Sequence, residues 1–166
     1  MKISTKKIAF ISIMCALANI LGIFSIPLGI TSIHLMQLPI ILSGLVLGFW
    51  SGGITGFIGS ILMAYTLSPS NPYILLGNAI LGFFTGLIYS YLKKTKKRQI
   101  IPQTLSVLAA YLIQLPYLYI TDVYFMPIPS QVVLTVILPK LLLEDMISVL
   151  ISHIVLYRIE LNKILW

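Results

Sequence analysis

Apolar residues run through this chain in six blocks, and polar residues are confined to the block ends and to a few isolated interior positions. A helix that crosses a bilayer needs about 20 mostly apolar residues, fewer where it is packed inside a bundle. The first block covers 8–26 and stops at Pro27. The second and third cover 34–49 and 52–65, the fourth 73–92, the fifth 101–120 and the sixth 131–157. The breaks hold turn formers: Gly29 and Thr31, then Ser68-Pro69-Ser70-Asn71-Pro72, then 126–130 with Pro127 and Pro129. The stretch 34–66 is too long for one upright helix at about 1.5 Å per residue and short for two full spans. Gly48 to Gly53 predicts the turn of a tight helical hairpin there.

Composition turns these blocks into membrane spans. Of 166 residues, 58% are hydrophobic and only 9% charged, whereas a soluble domain covers its surface with about a quarter charged residues. The surface of this chain therefore faces lipid. The net charge of +7 does not indicate nucleic acid, because no groove-reading motif accompanies it. Apart from Lys140, every Lys and Arg falls in one of three clusters: Lys2, Lys6 and Lys7; Lys93, Lys94, Lys96, Lys97 and Arg98; Arg158 and Lys163. Basic loops stay in the cytoplasm. Six spans put all three clusters on one side, whereas an odd number would split them. The expectation is an all-α integral membrane protein: one membrane domain over 1–166, a six-transmembrane-helix bundle of the cell (inner) membrane, N- and C-terminus cytoplasmic. The basic, apolar start lacks a convincing cleavage site and reads as a retained first span. Cys15 is the only cysteine, so no internal disulfide forms.

Ionisable and amide side chains at membrane depth are costly and mark cavities or partners. Here they are His34 and Gln37 on the second span, Asn78 on the fourth, Gln114 on the fifth, and Lys140, Glu144, Asp145 and His153 on the sixth. The topology puts His34, Gln37, Asn78, Asp122, Gln131 and Lys140 toward the external side, where they can converge on a pocket with Tyr65, Tyr73, Tyr117, Tyr119 and Tyr124 as walls. The candidate ligand-binding residues are His34, Gln37, Tyr65, Asn78, Gln114, Tyr117, Lys140 and Glu144. Plainer roles stand beside this one. Lys140 and Glu144, four apart on one helix, neutralise each other, the tyrosines suit an interfacial belt, and Gln37 and Asn78 suit helix–helix hydrogen bonds. Pro139 predicts a kink just before Lys140.

Small residues spaced by four let helices approach closely in lipid. Gly44, Gly48, Gly52 and Gly56 form one series and Gly82, Gly86 and Ser90 another. Ser12, Cys15, Ala16, Asn19 and Gly22 make a stripe on the first span, open equally to internal packing and to docking of another membrane subunit. Catalytic arrangements are absent: no paired acid and base, no Cys/His cluster with metal spacing, no phosphate-cradling loop ending in Lys-Ser or Lys-Thr. No enzyme, metal site or cofactor is expected.

The stretch 33–60, IHLMQLPIILSGLVLGFWSGGITGFIGS, resembles the substrate-binding (S) components of energy-coupling factor (ECF) transporters. In that family a Leu-Pro-containing second span ends in a Leu-Gly turn and a glycine-rich third span follows. Ser12-x-x-x-Ala16 looks like its small-x-x-x-small docking motif on the first helix, and Asn19 extends it. Ser12 stands where the family often has Ala, and Phe49-Trp50 where many members have Gly-Pro. The resemblance implies a capture protein for a vitamin or related micronutrient, energised by a transmembrane coupling subunit and two cytoplasmic ATPases. An external Lys beside amides suits a carboxylate-bearing ligand such as pantothenate, while aromatic walls suit a flat heterocycle such as riboflavin, folate or a thiamine precursor. Two other function classes stay open on the residues alone. One is an autonomous secondary carrier with a proton relay through Lys140, Glu144 or Asp145; the other is a non-transporting membrane assembly subunit.

Overall fold

The computed structural model describes residues 4–28, 31–66, 70–93 and 99–159. The basic positions Lys2, Lys94, Lys96, Lys97, Arg98 and Lys163, and the turn residues Gly29, Ser68 and Pro69, lie outside them. Helix α1 spans Thr5–Ile23 and ends where the amide of Phe24 closes the last turn on the Ile20 carbonyl. The chain then forms an antiparallel hairpin of β1 (Ser25–Leu28) and β2 (Thr31–His34), with Ile26 opposite Ile33 and Pro27 opposite Ser32. This hairpin replaces the end of the first apolar block. Its β-branched residues fit an extended pair, and Pro27 is tolerated because a two-stranded ribbon leaves outward amides unpaired.

Helix α2 (Gln37–Leu47) is followed by Gly48 at φ 93° and then α3 (Phe49–Ile58). The reversal is thus made by one residue in a conformation open to glycine, and Phe49-Trp50-Ser51 form the first turn of α3 rather than a loop. Eleven residues rise only about 16 Å, so α2 does not cross a bilayer alone. After a break at Gly59-Ser60 comes α4 (Ile61–Thr66). Helix α5 (Tyr73–Leu92) is unbroken. Helix α6 (Ile100–Ile120) contains Pro116 and continues into a π-helical turn over Thr121–Phe125. The last segment begins as α7 (Ser130–Val132), passes through a second π turn over Val133–Ile137, and becomes α8 (Leu138–Ile159). Each π turn sits near a proline, Pro116 or Pro139, whose missing N–H disturbs the regular ladder.

These segments make six helical bodies, and the described part of the chain is an all-α bundle with one small hairpin. Thr5–Ile23, Tyr73–Leu92 and Ile100–Phe125 are long and apolar enough to cross a membrane. Large apolar side chains such as Ile13, Leu112 and Ile154 are more than half exposed, as expected of surfaces that face lipid. The glycine series packs internally. A Cβ on Gly52 would lie 2.2 Å from the Gly82 carbonyl oxygen, and one on Gly56 2.1 Å from that of Asn78, so α3 and α5 touch backbone to backbone. Below the hairpin, Ile41, Leu45, Tyr89, Val107 and Val149 join α2, α5, α6 and α8 in one core cluster.

Candidate ligand-binding site

One end of the bundle holds a cavity of about 250 Å³ enclosed by β2, α2, α4, α5, α6 and the start of α8. That is just under the range of about 300–1,000 Å³ usual for small-molecule sites. Five of the eight candidate residues line it: His34, Gln37, Asn78, Gln114 and Lys140. They arrive from five different elements, and each element has a local reason for its place. Gln37 is the first residue of α2, just after the hairpin. Asn78 lies one turn into α5 and donates to Ser60 Oγ at 2.8 Å, holding α5 against the α3–α4 break. Gln114 donates through Nε2 to the Gly77 carbonyl at 2.9 Å, which Gly77 permits because no side chain covers it. Lys140 follows Pro139 at the start of α8.

Glu144 lies behind this wall rather than in it. It is fully buried; its Oε1 accepts the His34 backbone N–H at 2.9 Å and stands 3.6 Å from Lys140 Nζ. Its Oε2 is 3.6 Å from His34 Nδ1. The carboxylate therefore ties the end of the hairpin to α8 and offsets the Lys140 charge. Gln37 Oε1 is buried without a hydrogen-bond partner in the protein, an acceptor left free at the cavity wall. Apart from Asn71 and Asp122 the rest of the lining is apolar, with Met36, Met63, Ile74, Leu118 and Ile137 forming the walls. Such a cavity offers one ammonium, one carboxyl, one imidazole and several amides among apolar walls.

The tyrosines do not build it. Tyr65 is 70% exposed on the outside of α4, and Tyr117 turns its hydroxyl to the Tyr73 carbonyl at 2.9 Å. The cavity is lined by no tyrosine. Gln131 is exposed. Two polar lining residues lay outside the candidate set, Asn71 and Asp122. Asn71 caps the start of α5 through the Tyr73 N–H at 3.1 Å and faces Asp122 Oδ1 across 3.5 Å. In sequence Asn71 reads as one more turn former, while Asp122 reads as one of the external polar residues able to converge on a pocket, though not as one of the eight candidates. His153 lies away from this end, bonded to Gln103 at 2.9 Å.

On α1 the small-residue stripe splits between two faces. Cys15, Ala18 and Gly22 are buried, and Asn19 donates to the Ile58 carbonyl at 2.9 Å while accepting the Leu62 N–H at 2.8 Å. Asn19 thus fastens α1 to the α3–α4 break. Ser12 and Ala16 point the other way and are exposed.

Fold and cavity define a small polytopic membrane protein with a polar-lined cavity at one end of its bundle. Residues 2–162 match the family model described as "ECF-type riboflavin transporter, S component". The fold is similar to that of a solved S component of a bacterial ECF transporter, with a TM-score of 0.67 and 21% identity over 96% of this chain and 97% of that one. No curated protein matches the sequence. The chain belongs to the family of S components of ECF-type riboflavin transporters. It is accordingly a membrane-embedded transporter subunit that binds a small molecule and works with an ECF module, not an enzyme.

Proposed function

We propose that this chain captures riboflavin, or a flat heterocyclic vitamin close to it, from the outer side of the cell membrane. It delivers the ligand to a transmembrane coupling subunit driven by two cytoplasmic ATPases. Both termini lie in the cytoplasm, and the hairpin end of the bundle opens outward. The observation that carries this reading is the cavity itself, where Lys140, Gln37, Asn78 and Gln114 converge among apolar walls within the fold of the family. Amides and a single cation suit the carbonyl and ring-nitrogen edge of a flavin, and the methionine and aliphatic walls suit its ring faces. The orientation rests on the three basic clusters.

Riboflavin fluorescence tests it directly. Purified protein in mild detergent is expected to quench added riboflavin with one-to-one stoichiometry and saturation at submicromolar concentration, the scale of a capture protein. Thiamine and pantothenate serve as competitors. Saturable binding of one of those, with riboflavin inert, would overturn the flavin assignment while leaving the capture role; no binding of any of them would remove the capture role as well.

A further inference from the structure

The proposed capture of a flavin ring leaves two polar residues of the cavity wall without a task, Asn71 and Asp122. They come from elements other than those that carry Lys140, His34 and Gln37. Asn71 precedes α5, and Asp122 sits in the π turn Thr121–Phe125 that ends α6. Both are buried, and the backbone fixes their places. The Asn71 N–H donates to the Ala64 carbonyl at 2.9 Å, and its Oδ1 accepts the Tyr73 N–H at 3.1 Å. The Met126 N–H closes the π turn on the Thr121 carbonyl at 3.0 Å, and the Ile128 N–H reaches the Asp122 carbonyl at 2.9 Å. The second π turn, Val133–Ile137, meets the same cavity through Val136 and Ile137. Such turns depart from the regular helical ladder and are common at functional sites.

The Asp122 carboxyl is poorly matched by the protein around it. Nδ2 of Asn71 stands 3.5 Å from Oδ1, at the outer limit for a hydrogen bond. Among the described residues no other hydrogen bond reaches the carboxyl, although a carboxylate offers about four acceptor positions. The hydroxyls close to it in the chain are committed elsewhere: Tyr117 to the Tyr73 carbonyl and Thr121 to the Tyr117 carbonyl, both at 2.9 Å. Lys140 and His34, which line the same cavity, both lie 3.6 Å from Glu144. Nor is Asp122 required as a tie between α5 and α6. Gln114 on the Gly77 carbonyl and Tyr117 on the Tyr73 carbonyl, each at 2.9 Å, already fasten that pair. A buried carboxyl at membrane depth with so little internal bonding marks a place for a ligand group.

We propose that Asp122, with Asn71 beside it, is a specificity residue of the cavity: its carboxylate accepts hydroxyl groups from a polyhydroxy side chain on the ligand and excludes the phosphorylated form of that ligand. This rests on the reading of the cavity as a flavin site. A hydroxyl donating to a carboxylate makes a short, charge-assisted bond, roughly twice as strong as one between neutral groups. Lys140 and Glu144 offset each other, so Asp122 meets the ligand without a cation paired to it. A phosphate brought to the same place sets like charges together in a largely apolar wall, a repulsive element that discriminates without any added contact. The two polar groups of the wall then divide the ligand between them. Lys140 with Gln37, Asn78 and Gln114 takes the ring edge, and Asp122 with Asn71 takes the chain.

Three flavins with one ring separate these roles: riboflavin, riboflavin phosphate, and lumiflavin, which lacks the polyhydroxy chain. Fluorescence quenching by the purified full chain in mild detergent reads each affinity. The wild-type chain is expected to bind riboflavin about tenfold or more tighter than lumiflavin, the scale of one charge-assisted hydrogen bond, and to bind riboflavin phosphate more weakly than riboflavin. Asp122→Ala loses the advantage of riboflavin over lumiflavin, and its retained lumiflavin binding shows that the ring site is intact. Asp122→Asn, which keeps the shape and removes the charge, raises the affinity for riboflavin phosphate relative to riboflavin by about tenfold or more. Where Asp122→Ala does not fold, Asp122→Asn decides; where neither folds, the wild-type comparison of riboflavin with lumiflavin decides. Equal wild-type affinity for those two would overturn the proposal. So would a phosphate-to-riboflavin ratio that Asp122→Asn leaves unchanged. Binding of all three flavins without discrimination removes only the role of Asp122, whereas binding of none of them removes the flavin reading and this inference together.

Discussion

At Lys140 two demands fall on one side chain. It faces the cavity, and it is the partner of Glu144, which is fully buried 3.6 Å away. Removing it therefore leaves a carboxylate in low dielectric without its cation, a loss on the order of 3 kcal/mol. Lys140→Ala is expected to lower the thermal midpoint of the purified protein, whereas Lys140→Met with Glu144→Gln recovers most of it, because the pair is replaced by groups that need no charge balance. Ligand affinity separates the two roles. It falls about tenfold or more in both variants if the ammonium touches the ligand, the scale of one charge-assisted contact, and unchanged affinity in the folded double variant takes Lys140 out of the site. His34, Gln37, Asn78, Gln114 and Lys140 were legible in the sequence because a polar side chain inside an apolar block is conspicuous. Tyr65 and Tyr117 misled because tyrosine is at home both on a lipid interface and in a pocket wall, and spacing does not say which. Asn71 was hidden for the opposite reason: between two prolines its turn chemistry is explanation enough.

Between elements, the decisive contact is the crossing of α3 over α5. Gly52 and Gly82 face each other so closely that a Cβ on either would come within 2.2 Å of the other's carbonyl oxygen. Backbone cannot step aside as a flexible side chain does, so Gly52→Ala and Gly56→Ala are expected to push the helices apart at a cost of about 1–3 kcal/mol or more. Gly53→Ala is the control. Its Cβ would meet the Phe83 side chain at 3.4 Å and the Ala79 carbonyl oxygen at 3.7 Å, ordinary contact distances, and unfolding midpoints of the three variants should rank accordingly. Since Asn78 and Gly77 of α5 both serve the cavity, the Gly56 variant should also weaken ligand binding. The glycine series announced this crossing in the sequence, and so did the place of the α2–α3 turn, although only Gly48 makes it. The hairpin at 25–34 was not legible. Ser25 and Ile26 read as the end of the first span and 27–33 as a short loop, and the hairpin is held at its end by the His34 N–H on Glu144, 110 residues away in the chain.

For the molecule as a whole, α1 is the element with two different faces. One packs inward through Cys15, Ala18 and Gly22; the other leaves Ser12 and Ala16 exposed as a flat strip. A membrane subunit that works with an ECF module needs a lipid-facing surface where another helix can approach closely, and small residues provide one. On the reading that α1 docks the coupling subunit, Ser12→Leu with Ala16→Leu should leave the thermal midpoint and ligand affinity near wild type, because neither side chain is buried in this chain. Co-purification of the coupling subunit and the two ATPases from native membranes should be lost. Asn19 belongs to the other class. It holds hydrogen bonds to Ile58 and Leu62, so Asn19→Leu is expected to destabilise the isolated protein by about 1–3 kcal/mol for the groups left unpaired. Any loss of partners in that variant follows from the unfolding. If the Ser12/Ala16 variant retains the full complex, the docking face lies elsewhere on the bundle; if it loses stability as Asn19→Leu does, the strip is part of the packing and not an interface.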